Sequence, residues 1–334
     1  MRRTIRDVSD RARVSIGTVS NVLNAPHLVA EETRRRVLEA VEELDYRPSR
    51  AARSLAGRRT HLVAYHLPEP LDGGSPTLDA FLHRLVTTAA VYGLEVVIFA
   101  PRPGQSEVSA LREVIARKGV DGFILSNTNY DDPRIDELLS RGFPFVTFGR
   151  SDRADEFAWV DVDGAAGTAA MVAHLVGMGH RRIAMVAWPP GSESGDGRAE
   201  GFFTGCAAAG IEPGPFIRAE NTLNEGRRAF RQVMNAAEPP TAIVAVQDTL
   251  AFGLMSEAIR EGMVVGRDLA VTGFDDIPAA ALTTPPLTSV RQPIAEVGQV
   301  LVDLLVGQIE GGIEPGHRLL APELVIRQSC GGGA

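Results

Sequence analysis

Seven short apolar runs recur from Leu62 onward, and they constrain the architecture more than any other feature of the chain. The first begins at Leu62, and the others span residues 95–99, 122–125, 145–148, 183–186, 242–246 and 269–272. Between them lie amphipathic stretches with apolar residues at helical spacing, for example 77–92, 107–118, 164–178 and 249–261. The runs are apolar throughout instead of alternating, which predicts strands buried on both faces. Strand and helix taking turns in this way predicts an α/β chain of parallel doubly wound sheets. There are more units than one sheet holds comfortably, so two similar lobes are expected. Ligands bind such sheets beyond the carboxyl ends of the strands, and two lobes would set those ends facing across a cleft.

Composition narrows the class further. The 334 residues are 44% hydrophobic, ample for a packed core. No apolar stretch approaches the roughly 20 residues of a membrane helix. Arg2, Arg3 and Arg6 are followed by no apolar block of the secretory kind. Cys206 and Cys330 stand far apart without metal-ligand spacing, so buried thiols and a cytoplasmic protein are expected. Charge is divided unevenly. Residues 1–60 hold 13 arginines against 8 acidic residues, whereas the whole chain carries −8. A basic head on an acidic body predicts one part made for a phosphate backbone.

That head has its own pattern. Residues 4–12 read as a short helix capped by Thr4, with Asp7 three residues on as in a capping box. Ser15 is placed as the N-cap of a second helix carrying Val19, Val22 and Leu23 on one face. Two short helices about a tight turn, the second with small polar residues outward, predict a helix-turn-helix. A third helix over residues 31–44 presents Val37, Leu38, Val41 and Leu44 to a small core with Val8, Ala12, Val14, Val19, Val22 and Leu23. Residues 49–57 are small and basic with the single large apolar Leu55, too short for a stable helix alone and read from composition as a flexible linker.

The pattern Thr4-Ile5, Asp7-Val8, Ala12, Val14-Ser15, Thr18-Val19-Ser20 and Val22-Leu23-Asn24 resembles the opening of the lactose-repressor (LacI) family of bacterial transcription regulators. Two departures stand out: Ala30 replaces the family's capping Ser, and Arg13 replaces a turn glycine. The resemblance implies a three-helix domain (1–46), a linker and hinge helix (47–59), and a periplasmic-binding-protein-like core (60–330). Lobe one would take about 60–160 and 290–318, and lobe two about 161–289 and 319–330. It also implies that Ile16, Gly17 and Asn21 read bases, while Ser15, Thr18 and Ser20 contact phosphate or cap, with Thr4 and Asn24 completing the set. Arg50 and Arg53 would neutralise backbone charge, and Leu55 would enter the minor groove.

For the cleft, position after a strand selects Ser126, Arg150, Trp188, Gln247, Asp275 and Gln292 as effector-binding candidates. The family resemblance adds Arg198 and the pocket aromatic Phe81. Asp275 offers a carboxylate to two sugar hydroxyls, and Trp188 a stacking wall. Asp161-Val162-Asp163 reads as a structural crossover. The helix 294–309 fits either core packing or a dimer contact.

No phosphate-cradling glycine loop, His pair or nucleophile elbow is present in the sequence, so no catalysis, cofactor or metal is expected. The expectation is a cytoplasmic, nucleoid-associated repressor. It would act as a homodimer, or a tetramer, on a pseudopalindromic double-stranded operator, under a sugar-like effector of either sign, with no membrane partner. The alternatives are a solute-binding protein without a DNA role and a sugar-acting enzyme.

Overall fold

The computed structural model describes residues 3–24, 26–46, 59–68, 76–311 and 315–331, in two compact units, Met1–Thr60 and His61–Ala334. The linker and hinge segment with Arg50, Arg53 and Leu55 lies outside the described residues.

Among the described residues the first unit has three α-helices, α1 (Ile5–Ala12), α2 (Ile16–Asn24) and α3 (Glu31–Glu43). The capping box forms as the spacing predicts. The Thr4 hydroxyl accepts from the Asp7 amide, and the Asp7 carboxylate accepts from the Thr4 amide at 2.7 Å. Ser15 caps α2 by accepting from the Thr18 amide at 3.0 Å. Ala30 offers α3 no side-chain cap. Val8, Ala12, Val19, Val22, Val37, Ala40 and Tyr46 make the core. Leu38 does not join them. It is 48% exposed, because one residue after Val37 it points about 100° away around the helix.

Arg13 closes α1 in the left-handed conformation, at φ 50°. The guanidinium of Arg36 on α3 donates to the carbonyls of Ala12 and Arg13, which holds the turn from outside. Arg13→Gly should therefore raise the midpoint of thermal unfolding of this unit, by about 1 kcal/mol of stability. No gain would mean that the Arg13 side chain makes up the difference.

The second unit has two six-stranded sheets. The first contains β1 (Leu62–His66), β2 (Glu95–Phe99), β3 (Gly122–Ser126), β4 (Phe145–Phe148), β5 (Ala158–Val162) and β11 (His317–Leu320), in the order β11-β5-β4-β3-β1-β2. The second contains β6 (Ile183–Ala187), β7 (Phe216–Arg218), β8 (Ala242–Ala245), β9 (Ala270–Asp275), β10 (Thr288–Arg291) and β12 (Glu323–Val325), in the order β12-β10-β9-β8-β6-β7. Each central strand is buried, for example all five residues of β1, β3 and β6, as unalternated apolar runs require.

The helices between them are α4 (Pro76–Val91), α5 (Glu107–Lys118), α6 (Pro133–Ser140), α7 (Gly164–Gly177), α8 (Glu193–Ala208), α9 (Leu223–Met234), α10 (Asp248–Arg260) and α11 (Ile294–Ile309). α11 is a core helix: Val297, Leu301, Leu304 and Leu305 are buried with Leu85 and Val146 of the first lobe.

Two expectations need correction. The sheets are not wholly parallel, since β12 runs antiparallel to β10. The chain leaves β11 opposite Val162 of the first sheet and enters β12 opposite Arg291, the last residue of β10, so it comes into the second sheet at its carboxyl edge and runs back against β10. The passages between lobes also fall a few residues later than 160, 289 and 318. Val162 still pairs with Leu320 in the first sheet, and Arg291 with Asp275 in the second.

Candidate effector cleft and nucleic-acid face

Both sheets reverse strand order after their first strand, between β1 and β3 and between β6 and β8, which marks the carboxyl ends there as the binding edge. At that edge of the second lobe, five of the eight candidates converge. Asp275 ends β9 at φ 102° and is 8% exposed. Its carboxylate accepts from the side-chain amides of Gln247 and Gln292, the latter at 2.6 Å, and lies 3.6 Å from the Arg198 guanidinium. Arg198 reaches it from α8, donating to the Val246 carbonyl at 2.9 Å and lying over the Phe274 ring at 3.7 Å. Trp188, just beyond β6, covers the other side of the same guanidinium at 5.0 Å. Burial pushes the Asp275 carboxyl up and the Arg198 guanidinium down, and the two charges temper each other's shift.

A second layer holds this cluster. Consecutive Asp275 and Asp276 both adopt positive φ, a conformation that L residues resist. Asp248 accepts from the Ile277 amide at 2.8 Å and from the Ser289 hydroxyl at 2.6 Å, while Ser289 accepts from the Asp276 amide at 3.0 Å. The turn that aims Asp275 is thus gripped at two successive amides. Burial, and then the charge of Asp275, push the Asp248 carboxyl up to about 8. Asp248 was legible as a residue after a strand; Ser289, inside one, gave no signal.

Among the described residues, two buried polar atoms at this edge have no hydrogen-bond partner, the Trp188 indole Nε1 and the Gln247 side-chain Oε1. One is a donor and the other an acceptor, and a hydroxyl group satisfies both kinds. The two sit within one cluster of side chains around Asp275 and Arg198.

The first lobe treats its candidates differently. Ser126 is 2.7 Å from the Tyr65 hydroxyl at the end of β3. Phe81 does not stand as an open wall: it is 2% exposed, edge-on to Tyr65 and 5.5 Å from Phe148. It shares the inward side of α4 with Leu85 and Ala89, which places it in the core. Arg150 is already engaged, with Nε on Asp161 at 2.9 Å and Nη1 near Glu193 at 3.4 Å. Asp161 therefore belongs to the cleft edge more than a mere crossover does. Asp163 is structural, capping α7 through the Ala166 amide at 2.8 Å.

On the three-helix unit, Ile16, Gly17 and Asn21 are exposed along α2, and Ile16 shows 44% of its surface. Ser15 and Thr18 hydroxyls bond each other at 2.9 Å, and Thr4 is occupied by its cap. Asn24 is the last residue of α2. Among the described residues no His, Cys, Asp and Glu group is arranged to hold a metal, and no helix is long and apolar enough to cross a membrane.

A helix-turn-helix unit with its second helix exposed, on one chain with a two-lobed core of this topology, defines a ligand-responsive DNA-binding regulator. Comparison with known proteins agrees. Residues 4–49 match the lacI family of bacterial regulatory proteins, and residues 172–330 a periplasmic binding protein-like domain. The HTH-type transcriptional repressor CytR of Escherichia coli (strain K12) is 30% identical over 98% of this chain and 96% of its own. A CelR–cellobiose complex superposes at TM-score 0.75, with 30% identity over 98% of this chain and 100% of its own. The lac repressor dimer bound to operator and the anti-inducer ONPF superposes at 0.87, with 28% identity over 99% of both chains. The chain belongs to the LacI family of bacterial transcription regulators.

Proposed function

We propose that this protein is a cytoplasmic, homodimeric transcription repressor that a sugar-like effector releases from its operator. The observation that carries the effector half is the pair of partnerless buried atoms, Trp188 Nε1 and Gln247 Oε1, beside the Asp275 carboxylate. Such a cluster suits a neutral polyol, and the relative CelR is known in complex with cellobiose. The DNA half rests on α2. Asn21 would pair with an adenine edge and Ile16 with a thymine methyl, with Ser15 and Thr18 toward phosphate. Arg50, Arg53 and Leu55 would complete the contact from the hinge segment. Effector closing the lobes would shift their angle in the dimer and melt that segment. No catalytic step is assigned to any residue.

The test is a titration on the intergenic DNA upstream of the gene at several salt concentrations. Affinity should fall steeply with salt and exceed that for random DNA. Asn21→Ala should cost about 1–3 kcal/mol on the operator and almost nothing on random DNA. Binding with no salt slope and no preference over random sequence would sink the repressor reading.

A further inference from the structure

The two lobes touch across the mouth of the cleft through one short segment of the second, residues 191–194. Arg150 of the first lobe places Nη1 3.4 Å from the Glu193 carboxylate at the start of α8. The Tyr130 amide donates to the Gly191 carbonyl at 3.2 Å. Glu193 also faces the Tyr130 phenol, which burial first and this carboxylate next raise above its ordinary value. A Cβ built at Gly149 of the first lobe would stand at ordinary contact distance, 3.8 Å, from the Ser194 hydroxyl. Gly195, the next residue, packs against the cleft wall, since a Cβ there would meet the Trp188 ring at 3.0 Å.

We propose that Arg150, Tyr130 and the 191–194 segment with Glu193 form a latch that holds the two lobes together across the cleft. Arg150 is suited to this because Asp161, at 2.9 Å from its Nε, already fixes the guanidinium plane. Little further side-chain freedom is lost when Nη1 meets Glu193. Glu193 keeps about a third of its side-chain surface in solvent, at 31%, so the contact is weak and open to salt. Arg150 is consequently a group that couples the lobes, and an effector seated at Asp275 enters beneath a door already partly shut. The latch rests on the geometry of the core alone, and its test uses no effector, so it stands or falls apart from the repressor reading.

The chain has two tryptophans, Trp159 and Trp188. In a full-length Trp159→Phe protein, which keeps an aromatic ring beneath the Arg150 guanidinium where Trp159 lies 5.6 Å away, Trp188 is the single indole, and acrylamide quenching of its fluorescence reports how far the cleft is open. Glu193→Gln should raise the open-to-closed ratio roughly two- to fivefold, the range that a solvent-facing ion pair supports. That change is read as a larger quenching constant. High salt should move the Trp159→Phe parent toward the variant and leave the variant itself unmoved. Glu238→Gln, an exposed site elsewhere in the same lobe, serves as the charge control, and far-UV circular dichroism confirms folding of each protein. Equal quenching with and without Glu193, or an equal rise in the Glu238 control, would overturn the latch.

Discussion

Arg198→Met should destabilise the second lobe by roughly 3–5 kcal/mol, the cost of leaving a buried carboxylate without its cation. Methionine keeps most of the length of the side chain and its apolar contact with Phe274 and Trp188, so the cavity term is small. What disappears is the charge 3.6 Å from Asp275 and the hydrogen bond to the Val246 carbonyl. Two amide donors, from Gln247 and Gln292, remain on the carboxylate and cannot replace a charge. Asp275 would then hold its proton to higher pH than in the unfolded chain. A carboxyl raised in the folded state costs stability as pH climbs above its unfolded value, so the deficit should be larger at neutral than at acid pH. Urea unfolding at the two pH values measures this. Arg198→Met with Asp275→Asn should recover a large part of the loss. If single and double variants unfold together, the ion pair is not what the site depends on.

The second large effect lies away from the cleft. α9 and α10 cross where Gly226 and Gly253 meet, and a Cβ at Gly253 would stand 2.4 Å from the Leu223 carbonyl and 2.8 Å from the Gly226 Cα. These are backbone atoms, so no rotamer change relieves the clash and the helices must part. Alanine is worth about 1 kcal/mol over glycine within a helix. Here that gain is outweighed, and Gly253→Ala should cost about 1–3 kcal/mol net. Gly197, within α8, makes the contrast, because a Cβ there meets nothing within 4 Å. Gly197→Ala should therefore stabilise by about 1 kcal/mol. Thermal unfolding of both variants decides the matter: shifts of the same sign would show that close approach is not what governs these glycines.

How much of this was legible in advance depends on where each residue gets its partners. In β5 the apolar run is broken by Asp161, and in β10 by Thr288, Ser289 and Arg291. The six other central strands, β1, β3, β4, β6, β8 and β9, announced themselves, because burial on both faces leaves mostly apolar residues and the run is short. β11 and β12 did not, since each lies at a sheet edge with most side chains partly or fully exposed and no apolar run results. Gln247, Asp275 and Gln292 were found through position alone, as residues that follow a strand. Trp188 was found the same way, and Arg198 by its family register. Phe81 is buried with Leu85 and Ala89 in the core of the first lobe, a placement family register does not reveal, since register says which residue is aromatic and not which way its helix has turned. The engagement of Arg150 was invisible for a different reason. Its partners, Asp161 and Glu193, are 11 and 43 residues away in sequence, one on a strand of the first lobe and one at the start of a helix of the second, so only the folded chain brings them together.

The last strands carry a consequence for the integrity of the whole core. β11 pairs with β5 of the first sheet, and three residues later β12 pairs with β10 of the second, so one short tail serves as the edge of both. A proteolytic cut ahead of His317 would strip two sheets at a stroke. It would bare the unpaired amides and carbonyls of β5 and β10, each a template on which another chain can add a strand. The tail of this regulator is thus a guard against aggregation as well as a clasp. Trimming it would threaten solubility before it touched either binding surface.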